Sequence, residues 1–269
     1  MRRGGSGLVV RWVLLVGIVL AFADAAALTR AVPAAAGDGT LRRIRVPILM
    51  YHYVSPLPGD ADDLRVGLTV APDVFRAQME LLSAQGYETV SLYDLHAALL
   101  EGAPLPPQPI ILTFDDGYSD HYTTVFPVLQ EVGFTATFFI ITGRQDAGDP
   151  AYMSWPQVQE MAAAGMNMES HTKSHYDLRS RDHEFLVYEM LGSRESLEAH
   201  AGGAARMFSY PAGRYDDLTL RTARELGVWR AVTTQPGAWH TTDNDLELPR
   251  LRVNPDTGVN GLLSLIRGA

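Results

Sequence analysis

The chain has 269 residues, a formal net charge of −9 and no cysteine. Its length suits one large domain with a sizeable core, and a content of 46% hydrophobic and 20% charged residues is that of a globular protein. The acidic balance argues against a nucleic-acid partner, whose phosphates call for a basic surface, and without thiolates any metal must be held by His, Asp or Glu.

At the N-terminus Arg2, Arg3 and Arg11 accompany the apolar run WVLLVGIVLAFADAAAL, residues 12–28. This predicts a signal peptide or N-terminal membrane anchor over residues 1–30, followed by an Ala/Gly/Pro-rich linker over 31–44. The apolar core is short for a spanning helix and Asp24 interrupts it. The expected location is therefore outside the cytoplasm: periplasmic, extracellular or tethered to the outer face of the cytoplasmic membrane.

The folded domain is expected over 45–269, where strand-like and helix-like stretches alternate. VPILMYHYV (46–54) reads as a strand. PDVFRAQMELLSAQG (72–86) has helical apolar spacing, with Asp73 as a candidate cap and Gly86 as a stop. YETVSL is a short strand, LYDLHAALLEG a helix, PIILTFDD a strand. SDHYTTVFPVLQEVG (119–133) reads as one helix that must accommodate Pro127. FTATFFII is a β-branched and aromatic strand, WPQVQEMAAAG a helix with Pro156 in its first turn, and MNMES a strand. A long helix over 183–200, the strand RMFSYP, the helix DDLTLRTARELG, the strands VWRAVTT and LPRLRV, and a helical tail complete the order. Such alternation predicts an α/β fold with a mainly parallel sheet. About seven units suggest a distorted (β/α) barrel, whose chemistry belongs at the C-terminal ends of the strands.

Two stretches sit at such ends. In ILTFDDGY an apolar strand runs into Asp115 and Asp116, whose charges repel unless a cation or an acid–base task employs them. In ESHTKSHYDL, His171 and His175 stand four apart directly after a strand. That spacing puts both rings on one side of a helical turn or a tight loop, which suits two metal nitrogens. Two histidines and one carboxylate make an open site for a hydrolytic metal. Either aspartate could be the ligand, leaving the other to accept a proton from water.

TFDDGY (113–118), SHTKSH (170–175) and FSYPAG (208–213), in this order, resemble the first three motifs of the polysaccharide deacetylases, the NodB-homology family of carbohydrate esterases. The resemblance spans about residues 47–253 and implies a NodB-type barrel. It implies Asp115 as the catalytic base, and Asp116, His171 and His175 as ligands of a divalent metal, Zn first, with Co, Ni or Fe also suited. It further implies Tyr210 and Pro211 at the acetyl pocket, with the Tyr210 backbone N–H toward the oxyanion. The substrate class implied is an N-acetylated polysaccharide.

The chain departs from the family pattern in three places. Ser209 stands where the third motif usually has an Arg that orients the catalytic Asp; Arg250 or Arg252 is the expected replacement, and Arg250 is the candidate placed in the substrate site. The fourth motif is indistinct, with Trp239, Asp243 and Asp245 as loose candidates. No histidine follows His240, so the C-terminal Leu–His acid is missing. His52, in the YH pair at the end of the first strand, resembles the acid of the exported branch that deacetylates poly-β-1,6-N-acetylglucosamine. His96, His183 and His200 are expected in solvent, and His121 at the surface. The rivals are a non-catalytic carbohydrate-binding relic, motivated by Ser209 and the indistinct fourth motif, and a deacetylase of another ester or amide.

Overall fold

The computed structural model describes Met1 and residues 37–269, so the expected signal or anchor segment lies outside the described residues. Among the described residues no helix is long and apolar enough to cross a membrane.

Seven parallel strands form the barrel: β1 (Ile48–Tyr51), β2 (Pro109–Phe114), β3 (Thr137–Ile140), β4 (Asn167–Ser170), β5 (Met207–Ser209), β6 (Arg230–Pro236) and β7 (Leu248–Arg252). Each pairs with the next in sequence, and β7 pairs with β1 through Leu251 opposite Leu49, which closes the ring. The short strand Glu88–Thr89 extends the sheet beside the start of β2. Outside the ring, Arg43–Arg45 pairs antiparallel with Trp239–Thr241.

The strands follow from their residues. Alternate side chains face opposite ways. Ile48, Ile111, Phe139, Met207, Val232 and Leu248 form one buried cluster that Leu92, Leu95 and Leu99 of the helix Leu92–Glu101 pack against. The intervening residues, among them Leu49, Leu112, Phe114, Phe138 and Ile140, pack against the surrounding helices in a second cluster. Burial on both faces explains the unbroken apolar run of β2. Each such side chain contributes roughly 1.5–3 kcal/mol through burial. The helix Leu92–Glu101 opens on a capping box between Ser91 and Asp94 and stops at Gly102 in the left-handed region.

The order of elements agrees with the sequence reading, with local differences. Residues 119–133 are not one α-helix: a π-helical turn, His121–Val125, precedes the α-helix Phe126–Val132, whose first turn takes Pro127, where no N–H is required. His121 is fully buried rather than at the surface. His96 is also buried: Nδ1 accepts from Arg230 Nε at 3.1 Å and the ring stacks on Trp229. His183 and His200 are exposed, as expected.

Candidate active site and metal centre

Both sequence motifs reach the same end of the barrel. Thr113 and Asp115 are two apart on β2 and its extension, so they share a face, and there they meet Arg250 of β7. Arg250 Nη1 and Nη2 donate to the two oxygens of Asp115 at 2.8 and 2.6 Å. Its remaining donors go to Thr113 Oγ1 (3.0 Å), Ser209 Oγ (3.2 Å) and the Thr233 carbonyl (2.9 Å). Arg250 and Asp115 are both buried. This fork is the strongest geometry available to a carboxylate. Of the two candidates for the missing third-motif Arg, Arg250 is the one bonded to Asp115. Its N–H groups are all engaged by protein, so it is a positioning residue and not the substrate contact expected from the sequence.

The backbone turns sharply at Asp116. Asp116 and Gly117 both have φ of 78°, a left-handed pair that aims the second carboxylate away from the first. For Asp116 that conformation costs roughly 1–2 kcal/mol. The positive φ favours glycine at 117, and a Cβ there would also crowd the side-chain ends Gln145 Nε2 and Ile140 Cδ1 at 3.1 Å.

His171 and His175 come together through a tight loop, not a helical turn. Thr172 and His175 are left-handed, at φ 66° and 60°. Thr172 Oγ1 accepts the His175 N–H at 2.8 Å, and one oxygen of Glu189 accepts the N–H groups of Lys173 and Ser174. The result places Asp116 Oδ1 at 3.4 Å from His171 Nε2 and 3.3 Å from His175 Nε2. All three donor atoms lie within 4.8 Å of one another.

These residues fit a divalent ion. Asp116 Oδ1 is buried and has no hydrogen-bond partner. Donors held ~2.1 Å from one ion at tetrahedral angles are themselves about 3.4 Å apart, which is the spacing between Asp116 Oδ1 and each of the two imidazole nitrogens. His171 Nδ1 donates to the Ser209 carbonyl at 2.7 Å, which assigns the proton to Nδ1 and frees Nε2 to bind. Two of the three protonation states suit a bound ion, and His171 must give up a proton to it. Burial opposes the Asp116 charge, but His171 Nε2 at 3.4 Å and the surrounding imidazoles hold it well below the usual carboxylate range. Burial, then repulsion from His171, lowers His175 to about 4. His171 is raised, with burial opposing and Asp116 and Asp115 drawing it up.

Asp115 also stays ionised: burial works against its charge, and Arg250 outweighs burial and holds it at about 2. His52 stands beside it, with Nε2 at 3.9 Å from Asp115 Oδ2, beyond hydrogen-bond reach. Burial lowers His52 to about 4 against the pull of both aspartates.

With this geometry in view, likeness to known proteins is informative. The polysaccharide deacetylase family model matches residues 102–231. A Bacillus subtilis protein bearing the name "Putative polysaccharide deacetylase YxkH" is 33% identical over 222 residues, 82% of this chain and 75% of its own length.

The chain belongs to the polysaccharide deacetylase family.

The poly-β-1,6-N-acetyl-D-glucosamine N-deacetylase of Escherichia coli K12 is 33% identical over 69% of this deacetylase, which spans only 34% of that relative's length. The Streptococcus pyogenes deacetylase PplD, solved in complex with acetate, aligns with a TM-score of 0.77 at 30% identity, over 84% of this chain and 99% of that one.

The remaining expected site residues are near but differently engaged. Tyr210 and Pro211 are buried at the end of β5, where Pro211–Gly213 forms a 3₁₀ turn. The Tyr210 N–H is directed at the Val232 carbonyl over a long 3.4 Å. Gly213 is left-handed, and a Cβ there would collide with Thr234 Oγ1 at 2.2 Å. Of the loose fourth-motif candidates, Trp239 lies under Arg43 and Asp245 faces Arg224.

Sequence reasoning missed three supports of this deacetylase site. Ser209, noted only as a departure, fixes the His171 tautomer through its carbonyl and binds Arg250 through its hydroxyl. His121 donates from Nε2 to the His52 carbonyl at 2.7 Å and so anchors the backbone of the candidate acid. Glu189, sixteen residues beyond Lys173, braces the metal loop. Only the Ser209 departure left a signal in the sequence.

Proposed function

We propose that the protein hydrolyses N-acetyl groups of an N-acetylglucosamine-containing polysaccharide, with Asp115 as base, His52 as acid, and Asp116, His171 and His175 holding a divalent ion. The carrying observation is the separation of the two adjacent carboxylates: Asp115 is clamped by Arg250 while Asp116 faces the two imidazoles. When bound, the ion supplies Lewis-acid chemistry, polarising the acetyl carbonyl and acidifying water. The donor set suits Zn²⁺ first, and Co²⁺, Ni²⁺ or Fe²⁺ as well.

The chain's own groups complete the reaction. Asp115 accepts a proton as water attacks the acetamide carbon. Burial keeps the resting His52 imidazole neutral, so this proton passes to His52 once the 3.9 Å between the two groups closes to a hydrogen bond or is bridged by a water. His52 then delivers it to the nitrogen as the C–N bond breaks. Acetate and a free amine leave, and His52 and Asp115 return to their starting states. Pro211 and Tyr210 shape the acetyl pocket, and a Tyr210 N–H turned toward the oxyanion gives up only the long bond to Val232.

Support for the N-acetylglucosamine polymer comes from the activity for which the E. coli relative is named and from His52 in place of a C-terminal acid. The binding-relic reading loses one of its two motives, because Arg250 supplies the guanidinium that Ser209 does not. We also place residues 1–30 as an export signal or membrane anchor and 31–44 as a linker to the catalytic domain of 45–269, on the basic and apolar pattern of the N-terminus. The test is acetate release from N-acetylglucosamine oligomers compared with acetylxylan. Release from the oligomers supports the assignment, whereas release from acetylxylan alone replaces it with an O-deacetylase.

A further inference from the structure

Nothing holds the ring of the candidate acid directly. Among the described residues the His52 imidazole has no hydrogen-bond partner, and its Nε2 stands 3.9 Å from Asp115 Oδ2. A ring without bonds of its own is placed by its packing and by its main chain.

That main chain is fixed at three points, all by the segment that follows β2. The Tyr51 carbonyl accepts the Asp115 N–H at 3.0 Å. The His52 carbonyl accepts from His121 Nε2 at 2.7 Å, and the Val54 N–H donates to Asp120 Oδ2 at 3.0 Å. The last two bonds come from adjacent residues and close on either side of Tyr53.

Both clamp side chains are buried, His121 completely. The bond to His52 is the one hydrogen bond of the His121 ring among the described residues, and its Nδ1 is buried without a partner. A buried imidazole that leaves one nitrogen bare is a poor packing residue, which points to its single bond as its task. His121 also opens the π-helical turn His121–Val125, where the Phe126 N–H donates to the His121 carbonyl. Turns of this kind interrupt regular helices and are frequent at functional sites.

We propose that Asp120 and His121 are positioning residues for the general acid, fixing the main chain of residues 52–54 so that His52 reaches both Asp115 and the departing nitrogen. The inference rests on the reading of His52 as the acid. It ties the acid to the base, since β2 leads into Asp115 and then into the clamp. Loss of the clamp leaves the groups that activate water in place and impairs proton delivery. The defect therefore falls on leaving groups that need a proton.

The test measures kcat of the metal-loaded protein on two substrates. The amine of a β-1,6-linked N-acetylglucosamine pentamer needs a proton to leave, whereas the phenolate of 4-nitrophenyl acetate leaves without one. The amide-to-ester ratio of kcat is expected to fall roughly 10²-fold in His121→Leu and in Asp120→Ala, the effect of about 1 Å of misplacement, with KM for the pentamer unchanged. His121→Gln can still donate to the His52 carbonyl and Asp120→Asn can still accept from Val54, so both should recover the ratio. In His52→Ala with His121→Leu the ratio should fall no further than in His52→Ala alone, because the clamp acts through His52. A partly folded variant loses both rates alike and leaves the ratio unchanged. If His121→Leu yields no soluble protein, Asp120→Ala decides. A ratio that His52→Ala lowers and the clamp variants do not, or a further fall in the double variant, overturns the clamp and leaves the acid reading standing. A ratio untouched by His52→Ala, or a wild type that releases no acetate from the pentamer, removes the acid reading and the clamp with it.

Discussion

Replacing Arg250 by Met removes the fork that holds Asp115 and keeps a similar side-chain length. Asp115 would then be a buried carboxylate without its two hydrogen bonds of 2.8 and 2.6 Å. Removing one partner of a buried pair costs roughly 3–5 kcal/mol, because the survivor is left uncompensated. Asp115 has one escape, which is to take up a proton. Burial already pushes its pKa upward and Arg250 is the main force holding it at about 2. Without Arg250 it rises, with only the nearby imidazoles left to oppose burial. Two results follow at neutral pH: a loss of about 3–5 kcal/mol in urea unfolding, and loss of turnover that recovers as pH rises and Asp115 ionises. Arg250→Lys keeps the charge but loses the fork and should fall between Met and wild type. Ser209→Arg combined with Arg250→Ser moves the guanidinium across the barrel to a position whose hydroxyl already lies 3.5 Å from Asp115 Oδ2, and should recover part of the activity. An Arg250→Met protein with wild-type stability and an unshifted pH–rate profile would refute the assignment of Asp115's ionisation to this pair.

Other outcomes follow from the same geometry. Asp115→Asn should abolish turnover yet retain metal, measured by elemental analysis after dialysis; retained activity would remove Asp115 as the base. Asp116→Ala or His175→Ala should lose the ion, since each removes one of three protein ligands, and metal content falling in neither would sink the assigned centre. His96 is held by burial, and by the charge of Arg230, at about 4, below its ordinary 6.5. A depressed histidine favours the fold above pH 6.5 and loses that contribution as pH falls toward 4. From pH 7 to pH 5 the loss is about 2 kcal/mol. His96→Gln, which can still accept from Arg230, should flatten the stability–pH slope over that window by this amount in urea titrations. Glu169, pushed up to about 8 by burial, acts in the opposite direction, losing stability as pH rises through 4.5 toward 8, so the comparison must be between variant and wild type.

Much of the site was legible because its strongest signals are local. An apolar strand that runs into two carboxylates, and two histidines four apart at another strand end, each lie within ten residues. Strand–helix alternation then places both at one end of a barrel. The contacts that complete the site are not local. Arg250 and Asp115 are 135 positions apart, and the pair exists because β7 closes the ring against β1, next to β2. From sequence alone Arg250 and Arg252 were equivalent; strand alternation sends only one of them to Asp115. The histidines misjudged, His96 and His121, lie on helical segments whose buried faces depend on what they pack against. A buried imidazole looks the same as a solvated one until its partner is known, here Arg230 for His96 and the His52 carbonyl for His121.

The most direct test of the central claim is acetate release from N-acetylglucosamine oligomers by protein stripped of metal, then given Zn²⁺, Co²⁺ or Ni²⁺, with His52→Ala alongside. The account predicts no release when stripped, release on metal return, and a fall of roughly 10²–10⁴-fold in the variant, the usual range for a general acid. Metal-independent release, or no release from a folded protein with metal bound, would contradict it.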